Sequence, residues 1–576
     1  MTDLRRTLLW VVFTMSVFLL WDAWNKHTGQ PSMFGLTRPA ASAPAAGTPA
    51  SSAALPAPVP AAALPQASGV PSAVAPVLPL AGAGAAPAPA AAPNGAATTS
   101  EKVTITTDIV KATVDSIGGN IVRLELLKHP DQNDRSRNVL LFDQSAKRLY
   151  QAQTGLITGQ AGVRLPNHWT PMKVHAGERT LAPAASQVQL KLESEAIDGR
   201  RLVKTLTFKR GDPVIGVRHE IFNEGTTPVQ PNLYLQLARD GNPPEGESSF
   251  YFTFTGPAVY TDAAKFQKID FKDIEKNKAD HEKAADNGWV AIVQHYFASA
   301  WLMPGNERRE FRTTKVGDNH YAVTMVVPLG ELAPGTSKAH ESTLFAGPQE
   351  ENKLAALATG LELVKDYGWF TMLAKPLFWL LDKLYELIGN WGWAIVALVV
   401  LLKIAFYWLN AKAYSSMAKM KAINPKVMEL RERYKEKPQQ MQQEMMRIYR
   451  EEKVNPLGGC LPIVAQMPFF IALYWVLLSS VEMRQAPWLG WITDLSAADP
   501  YFILPILMTG STMFQTWLNP TPPDPMQAKM MWIMPLAFSF MFFFFPAGLV
   551  LYWLTNNILS IAQQWFINKK LGVLGK

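Results

Sequence analysis

The chain has 576 residues, of which 48% are hydrophobic, with a formal net charge of +8 and a single cysteine. One cysteine excludes an intramolecular disulfide, and basic residues that flank long apolar runs follow the positive-inside rule rather than indicating a nucleic-acid substrate. The composition therefore excludes a small soluble domain and predicts a membrane protein with a large water-soluble insert.

The first apolar segment covers residues 8–21 and follows two arginines. This pattern also describes a cleaved signal peptide, which is the alternative interpretation. No small-residue cleavage site directly follows, however, and Trp21 and Trp24 suit a membrane interface. Residues 1–24 are therefore predicted to form an uncleaved transmembrane anchor.

A change of composition separates a tether from a folded insert. Residues 25–100 are rich in Ala and Pro and are predicted to be disordered. Residues 101–345 show short segments of alternating polarity separated by turn residues. The clearest alternating segments are 103–105, 188–192 and 206–208, and the turns include 118–119, 198–199 and 211–213. We expect a large antiparallel β-sandwich in the periplasm, with a helical stretch near 271–286.

No catalytic or metal-binding pattern is found in this insert. Its histidines are scattered without HExxH spacing, so we expect surface or hydrogen-bonded core residues rather than metal ligands. They include His129, His168, His219, His281, His295, His320 and His340. Cys460, beyond the insert, also lacks a neighbour for metal binding or nucleophilic catalysis. A groove for a peptide or a sugar is the functional interpretation that stays open for the insert.

Residues 346–389 are predicted to be a linker followed by an amphipathic helix. Within them, residues 367–388 carry leucines near helical spacing, charged residues at other positions, and aromatic residues. This pattern favours a helix that lies in the outer interface of the membrane. Packing of its apolar face on the β domain is the alternative.

Five further transmembrane helices are predicted in residues 390–567, which gives a polytopic membrane protein with six. They lie at 391–409, 461–480, 501–518, 531–545 and 547–567. The helix at 531–545 is shorter than the roughly 20 residues that a span usually needs. We predict a helical pair with a tight outer turn at Pro546; one broken, re-entrant segment is the alternative.

Charge predicts the orientation of these helices. Residues 411–460 contain eleven Lys and Arg against six Asp and Glu, and the tail at 568–576 is also basic. Both therefore lie in the cytoplasm according to the positive-inside rule, as do the two termini. The loop at 411–460 is predicted to be a methionine-rich helical hairpin, which either packs on itself or accepts apolar segments of other proteins.

Lys403 interrupts the apolar residues of the predicted span 391–409. A charge at that depth costs about 2.5–3.5 kcal/mol on insertion scales and usually marks a working site. Snorkelling to the headgroups is the alternative, because Lys403 lies six residues from the end of the span.

Other polar residues share the cytoplasmic halves of the predicted spans, whereas the outer halves are apolar. They are Gln466, Ser511, Thr512, Gln515, Asn556, Asn557, Gln563 and Gln564. Because polar groups in hydrocarbon need a partner or water, this distribution predicts a hydrophilic cavity that opens to the cytoplasm and is closed on the outer side. The alternative is a set of hydrogen bonds that holds the helices together.

Six motifs are distributed along residues 414–552. They are YSSMAKM at 414–420, KVNPLGGC at 453–460, QMP at 466–468, VEMRQAP at 481–487, DPM at 524–526 and FPAGLVLY at 545–552. Together they closely resemble the YidC/Oxa/Alb family of membrane insertases. The anchor and the large insert resemble the form of this family found in two-membraned bacteria, whose insert is a periplasmic β-supersandwich.

The resemblance implies a non-enzymatic insertase and chaperone without cofactors, which works alone or beside the Sec translocon. Its partners would be nascent membrane proteins, the lipid bilayer, and the ribosome at the basic cytoplasmic loop and tail. Lys403 occupies the position of a basic residue that lies in a hydrophilic groove and is usually arginine in this family. Lysine keeps the positive charge but cannot form the two parallel hydrogen bonds that a guanidinium forms with a carboxylate. Tyr552 and Trp553 fall where the family has aromatic residues that contact substrate, and either could face the groove.

The predicted groove residues are Lys403, Gln466, Ser511, Thr512, Gln515, Tyr552, Trp553 and Asn556. We expect a polar or acidic substrate tail to enter beside Lys403, after which the apolar part moves into lipid along the third and sixth spans. A secondary transporter that uses Lys403 as a counter-charge is the alternative, although no repeated halves are visible. A third interpretation is a receptor whose β domain binds an envelope ligand; deletion of residues 101–345 would separate it from an insertase.

Overall fold

The computed structural model describes residues 100–570, apart from 133, 245–252, 435–436, 453–460 and 520–524. The predicted anchor, nearly all of the predicted tether, Cys460 and the last six residues lie outside the described residues. The described part begins with a β domain and continues into a helical region.

Two nine-stranded antiparallel sheets build the β domain. The strands are β1 Lys102–Thr106, β2 Val110–Asp115, β3 Asn120–Pro130, β4 Asn138–Gln144, β5 Leu149–Ile157, β6 Met172–Val174, β7 Gln187–Ser194, β8 Arg200–Lys209, β9 Val214–Asn223, β10 Asn232–Asp240, β11 Gly256–Thr261, β12 Lys265–Lys268, β13 Ala284–Ala285, β14 Trp289–Val293, β15 Phe297–Leu302, β16 Arg309–Gly317, β17 His320–Pro328 and β18 Ser337–Pro348. Their order is β1-β2-β3-β4-β5-β10-β17-β16-β13 in one sheet and β12-β11-β14-β15-β18-β9-β8-β7-β6 in the other.

The alternating segments of the sequence form strands as predicted. Segments 103–105, 188–192 and 206–208 lie in β1, β7 and β8. In β7 every second residue is buried, which matches the period of two on a sheet with one buried face. The predicted turn at 198–199 joins β7 to β8, and both of its residues have positive φ, which Gly199 adopts without steric cost. The predicted helical stretch near 271–286 is largely wrong, because only Phe271–Glu275 is helical.

Side chains from both sheets meet in one hydrophobic core, so the domain is a β-sandwich. Hydrogen bonds also cross between the sheets. Trp301 on β15 is 2% exposed and donates its indole N–H to the carbonyl of Gln236 on β10, at 3.0 Å. Tyr150 on β5 bonds to Ser299 on β15 at 2.5 Å. These two hydrogen bonds therefore connect the two sheets across the core.

The helical elements are α1 Phe271–Glu275, α2 Glu351–Leu357, α3 Thr371–Ile388, α4 Trp391–Ala405, α5 Tyr407–Arg433, α6 Pro438–Glu451, α7 Leu461–Ser479, α8 Ile503–Leu518, α9 Pro525–Ser539 and α10 Ala547–Lys570, with 3₁₀ turns at Leu361–Val364, Gly368–Phe370, Val481–Met483 and Phe540–Phe543. Helices thus occupy most of each of the five segments predicted as spans in the last third. The prediction of 391–409 as one continuous helix is wrong, because the chain bends between α4 and α5. By length and hydropathy, no described helix crosses a membrane alone; α4 and α5 meet the criteria together and are bent by 69°. The number of spans stays a prediction.

Helix α3 corresponds to the predicted amphipathic helix. Its buried side chains are Ala374, Leu377, Phe378 and Leu381, which join the core formed by α4, α7 and α10. Packing of this face on the β domain, the alternative from the sequence, is therefore wrong. Met372, Trp379 and Leu387 on the same helix are 85%, 62% and 83% exposed, as expected for a helix with one face toward lipid.

Candidate functional site

Three helices of the core line a cavity that is open to solvent on one side; its empty space, including solvent at the mouth, is about 310 Å³. Its lining residues are Val399, Leu402, Lys403, Phe406, Gln466, Phe469, Phe470, Tyr552 and Asn556. Four of the eight predicted groove residues are therefore brought together: one from α4, one from α7 and two from α10. The walls are otherwise aliphatic and aromatic, so the few polar groups fix the chemistry of the site.

Lys403 occupies the last turn of α4, which ends at Ala405 before the chain bends into α5. Its ammonium donates a hydrogen bond of 2.7 Å to the hydroxyl of Ser560 on α10. Among the described residues, no carboxylate forms an ion pair with it. The carbonyls at the end of α4 favour a cation at this position, and the cavity leaves its charge accessible to a ligand.

Gln466 lies near the start of α7 and is 7% exposed. Its amide nitrogen donates a hydrogen bond of 2.6 Å to the side-chain oxygen of Asn410 on α5. Asn410 is 5% exposed and comes directly after the bend between α4 and α5. This pair both lines the cavity and fastens α5 to α7, so the two interpretations of Gln466 given by the sequence apply together.

Tyr552 and Trp553 point in different directions from α10. Tyr552 is 2% exposed and borders the cavity. Trp553 packs in an aromatic cluster instead, with ring centroids 5.0 Å from Phe542, 5.6 Å from Phe545 and 6.4 Å from Tyr474. Tyr552 is thus the aromatic residue of this pair that a molecule in the cavity would touch.

The predicted residues of α8 are not part of the cavity lining. Ser511 accepts a hydrogen bond of 2.8 Å from the amide of Asn557 on α10, and Thr512 lies 3.5 Å from the same amide nitrogen. Further along α10, the side-chain amide of Gln564 donates to the side-chain oxygen of Asn519, which directly follows α8, at 3.0 Å. These contacts fit the alternative in which polar groups hold helices together. Gln515 lies on the same helix, partly buried.

The end of the core where α7 ends and α10 begins is closed by residues 481–500. The backbone N–H of Ala547 donates to the carbonyl of Ala497 at 2.7 Å, and that of Gly548 donates to the carbonyl of Leu495 at 2.8 Å. A Cβ at position 548 would lie 3.1 Å from the Leu495 carbonyl oxygen, so glycine permits this approach. The turn predicted at Pro546 is thus held under a packed loop.

A buried ion pair joins the helical core to the segment that follows the β domain. The side chain of Lys365 is 0% exposed and lies 3.0 Å from Glu482, which belongs to the loop after α7. Its ammonium also sits 3.6 Å above the ring of Phe378 on α3. Burial raises the pKa of the Glu482 carboxyl, and the charge of Lys365 opposes this effect. Sequence reasoning missed this pair because its members are 117 residues apart.

Ser560 and Asn410 were also missed by the sequence analysis. Both lie one to two turns from predicted residues, and the predicted position of polar residues in the cytoplasmic halves of the spans was the signal that could have included them. No group of three or more His, Cys, Asp or Glu side chains that could hold a metal ion occurs in the described part of the chain.

Comparison with known proteins assigns the family. Residues 102–380 match the family model described as the YidC periplasmic domain, and residues 383–573 match that of the 60Kd inner membrane protein. The chain is 55% identical over 572 residues to a membrane protein insertase YidC of Cupriavidus necator, covering 99% of this chain and 98% of the relative. The chain belongs to the YidC family of membrane protein insertases.

Other YidC relatives are similar along their whole length. The insertase of Burkholderia multivorans is 50% identical over 581 residues, covering 100% of this chain and 99% of the relative. A solved structure of an active YidC insertase, with its first transmembrane domain resolved, is 17% identical, covers 81% of this chain and 92% of its own, and has a TM-score of 0.36. A galactose mutarotase-like protein of Lactobacillus casei gives a TM-score of 0.29. Likenesses at this level add nothing to the sequence matches.

Membership of the YidC family makes this chain a membrane insertase with a periplasmic domain, and the second family model describes an inner membrane protein. Insertase is not a class of enzyme. None of these matches supports the transporter interpretation.

Proposed function

We propose that this insertase receives the polar or acidic tail of a nascent membrane protein in the cavity beside Lys403 and releases the apolar segment into lipid. The observation that carries the proposal is the convergence of Lys403, Gln466, Tyr552 and Asn556 on one cavity. A cation without a carboxylate partner among the described residues offers attraction to a carboxylate in a site partly removed from water.

The energetics of burial explain how such a site works without a nucleotide. A polar tail in the cavity crosses a shorter hydrophobic thickness, which lowers its desolvation cost. The apolar segment then gains about 0.8 kcal/mol for each methylene that enters lipid, which favours release. Transient attraction to Lys403 holds the tail only until the apolar segment enters lipid.

The topology belongs to the same proposal. Six transmembrane helices, both termini in the cytoplasm and the β domain in the periplasm agree with the basic residues at 411–460 and 568–576. The closed outer end at residues 481–500 supports entry from the cytoplasmic side. We further propose that the protein acts as a chaperone, cooperates with the Sec translocon on larger substrates, and meets the ribosome at its basic cytoplasmic surface.

Replacement of Lys403 tests the proposal. In proteoliposomes that contain the purified protein, Lys403→Ala is expected to lower the insertion rate of a single-span substrate with an acidic tail by about tenfold, as loss of roughly 1.4 kcal/mol of attraction would. Lys403→Arg, which keeps the charge, is expected to retain most of the activity. The insertion rate of a substrate with a neutral tail measures any loss of activity that does not depend on the charge of Lys403.

Lys412→Ala is the matched control, because Lys412 lies on α5 and stacks over Trp408 at 3.7 Å rather than lining the cavity. It is expected to insert both substrates at the rate of the unchanged protein. Equal insertion of acidic and neutral tails by Lys403→Ala would overturn the role of the cavity.

A further inference from the structure

We propose that Ser560 is a positioning residue, which holds the ammonium of Lys403 inside the cavity. The inference rests on the proposed function of that cavity. It concerns a residue on α10 that lies outside the cavity lining and acts through Lys403 rather than on the substrate.

The hydrogen bonds of Ser560 orient its hydroxyl toward Lys403. Ser560 is 5% exposed, and its hydroxyl donates to the backbone carbonyl of Asn556 at 2.7 Å. Because a serine has one proton to donate, its lone pairs then remain for the ammonium, which lies 2.7 Å away. The geometry makes Ser560 an acceptor for Lys403.

This acceptor opposes the natural tendency of the lysine to leave the cavity. Lys403 lies two residues before the end of α4, where a flexible four-carbon side chain could extend to the headgroups and keep its charge in water. The hydrogen bond to Ser560 instead keeps the ammonium beside α10, within the helical core. Lys403 is thereby held at the depth of the cavity.

A hydroxyl suits this task better than a carboxylate would. It binds the ammonium without cancelling its charge, and its hydrogen bond is weaker than the one that a carboxylate forms with the same donor. An incoming carboxylate can therefore join or replace Ser560 at Lys403. An aspartate at this position would hold the lysine more tightly and neutralise its charge.

The test compares acidic-tailed and neutral-tailed single-span substrates in proteoliposomes. Ser560→Ala is expected to lower the ratio of acidic to neutral insertion by about three- to tenfold, which corresponds to the net contribution of one typical hydrogen bond. Insertion of the neutral substrate is expected to stay unchanged. Ser560→Thr, which keeps the hydroxyl, is expected to restore the ratio.

Ser539→Ala is the matched control. Ser539 is 2% exposed and donates at 2.8 Å to the carbonyl four residues earlier in its helix, as Ser560 does, but the cavity lining does not include it. Its replacement is expected to leave the ratio unchanged. Equal loss of both substrates in Ser560→Ala would show a structural role alone and overturn the inference.

The double variant Lys403→Ala/Ser560→Ala separates this inference from the proposed function. If Ser560 acts through Lys403, the double variant is expected to match Lys403→Ala, since the second change removes nothing further. Additive losses would overturn the positioning role while leaving the cavity proposal intact. A normal ratio in Lys403→Ala alone would overturn the proposed function itself.

Discussion

Lys204 in the β domain and Lys403 in the helical core are both largely removed from water, but their ammonium groups have different surroundings. Lys204 is 1% exposed, and its ammonium donates to the carbonyls of Gly118 and Thr154 at 2.5 and 2.7 Å. Lys403 donates to the hydroxyl of Ser560 and borders a cavity. A cation enclosed by fixed carbonyls serves the fold, whereas one beside open space can change partners. Burial alone therefore does not distinguish a structural charge from a working one.

A third lysine, Lys365, sharpens this comparison because its partner is a carboxylate. Replacement by methionine leaves Glu482 buried without a counter-charge, and breaking such a pair costs about 3–5 kcal/mol. Lys365→Met is therefore expected to lower the free energy of unfolding by about that amount in detergent. Chemical denaturation followed by tryptophan fluorescence would measure it.

The exposed pair of Lys353 and Glu350 provides the control, with a separation of 2.7 Å and side chains 60% and 31% exposed. Lys353→Met is expected to cost less than about 1 kcal/mol. The double variant Lys365→Met/Glu482→Met, which removes both charges, is expected to recover most of the lost stability. A loss in Lys365→Met no larger than that in Lys353→Met would contradict the importance of the buried pair.

The enclosed charge of Lys204 predicts how stability depends on pH. Burial lowers the pKa of Lys204 to about 7 from its ordinary value of 10.5, and lowers that of His168 to about 4 from 6.5. The unfolded chain therefore binds more protons than the folded chain between about pH 4 and 6.5 and again between about 7 and 10.5. The free energy of unfolding is expected to rise with pH through both windows.

Burial also raises the pKa of Tyr150 and Tyr234, so stability is expected to fall again above about pH 10. Thermal unfolding between pH 7 and 9.5 isolates the contribution of Lys204. In Lys204→Met the slope in this window is expected to flatten, although the variant is less stable because two buried carbonyls lose their donor. An unchanged slope in Lys204→Met would assign the pH dependence to other groups.

The sequence predicted the strands of the β domain and the helices of the core because both are local patterns. Period-two alternation placed segment 188–192 in a strand, and apolar runs placed most of the core helices. Nothing in the apolar run 391–409 showed the bend between α4 and α5. The candidate site was predicted in part. Lys403 and Gln466 stood out by their depth in apolar runs, yet nothing local shows which face of a helix meets a cavity. The partner of Lys403, Ser560, is 157 residues away, and only the packing of α10 on α4 brings it close.

Two neighbouring asparagines on α10 allow the same comparison between a polar residue paired inside the protein and one that lines the cavity. Asn557 is 6% exposed and donates to Ser511 on α8, whereas Asn556 borders the cavity. Asn557→Ala is expected to lower the free energy of unfolding by about 0.6 and at most about 1.7 kcal/mol, the range for hydrogen bonds between helices in membranes. It is expected to leave the ratio of acidic to neutral insertion unchanged.

Asn556→Ala is expected to lower the insertion ratio with little effect on stability, because Asn556 lines the cavity and its backbone carbonyl still accepts from Ser560. Stability should change by less than about 0.5 kcal/mol, as at sites without a specific packing or pairing role, while the insertion ratio falls. Unfolding and insertion measured on the same two preparations would compare them directly. If both variants changed stability and insertion together, position relative to the cavity would not decide function, and the contrast between Lys204 and Lys403 would lose its meaning.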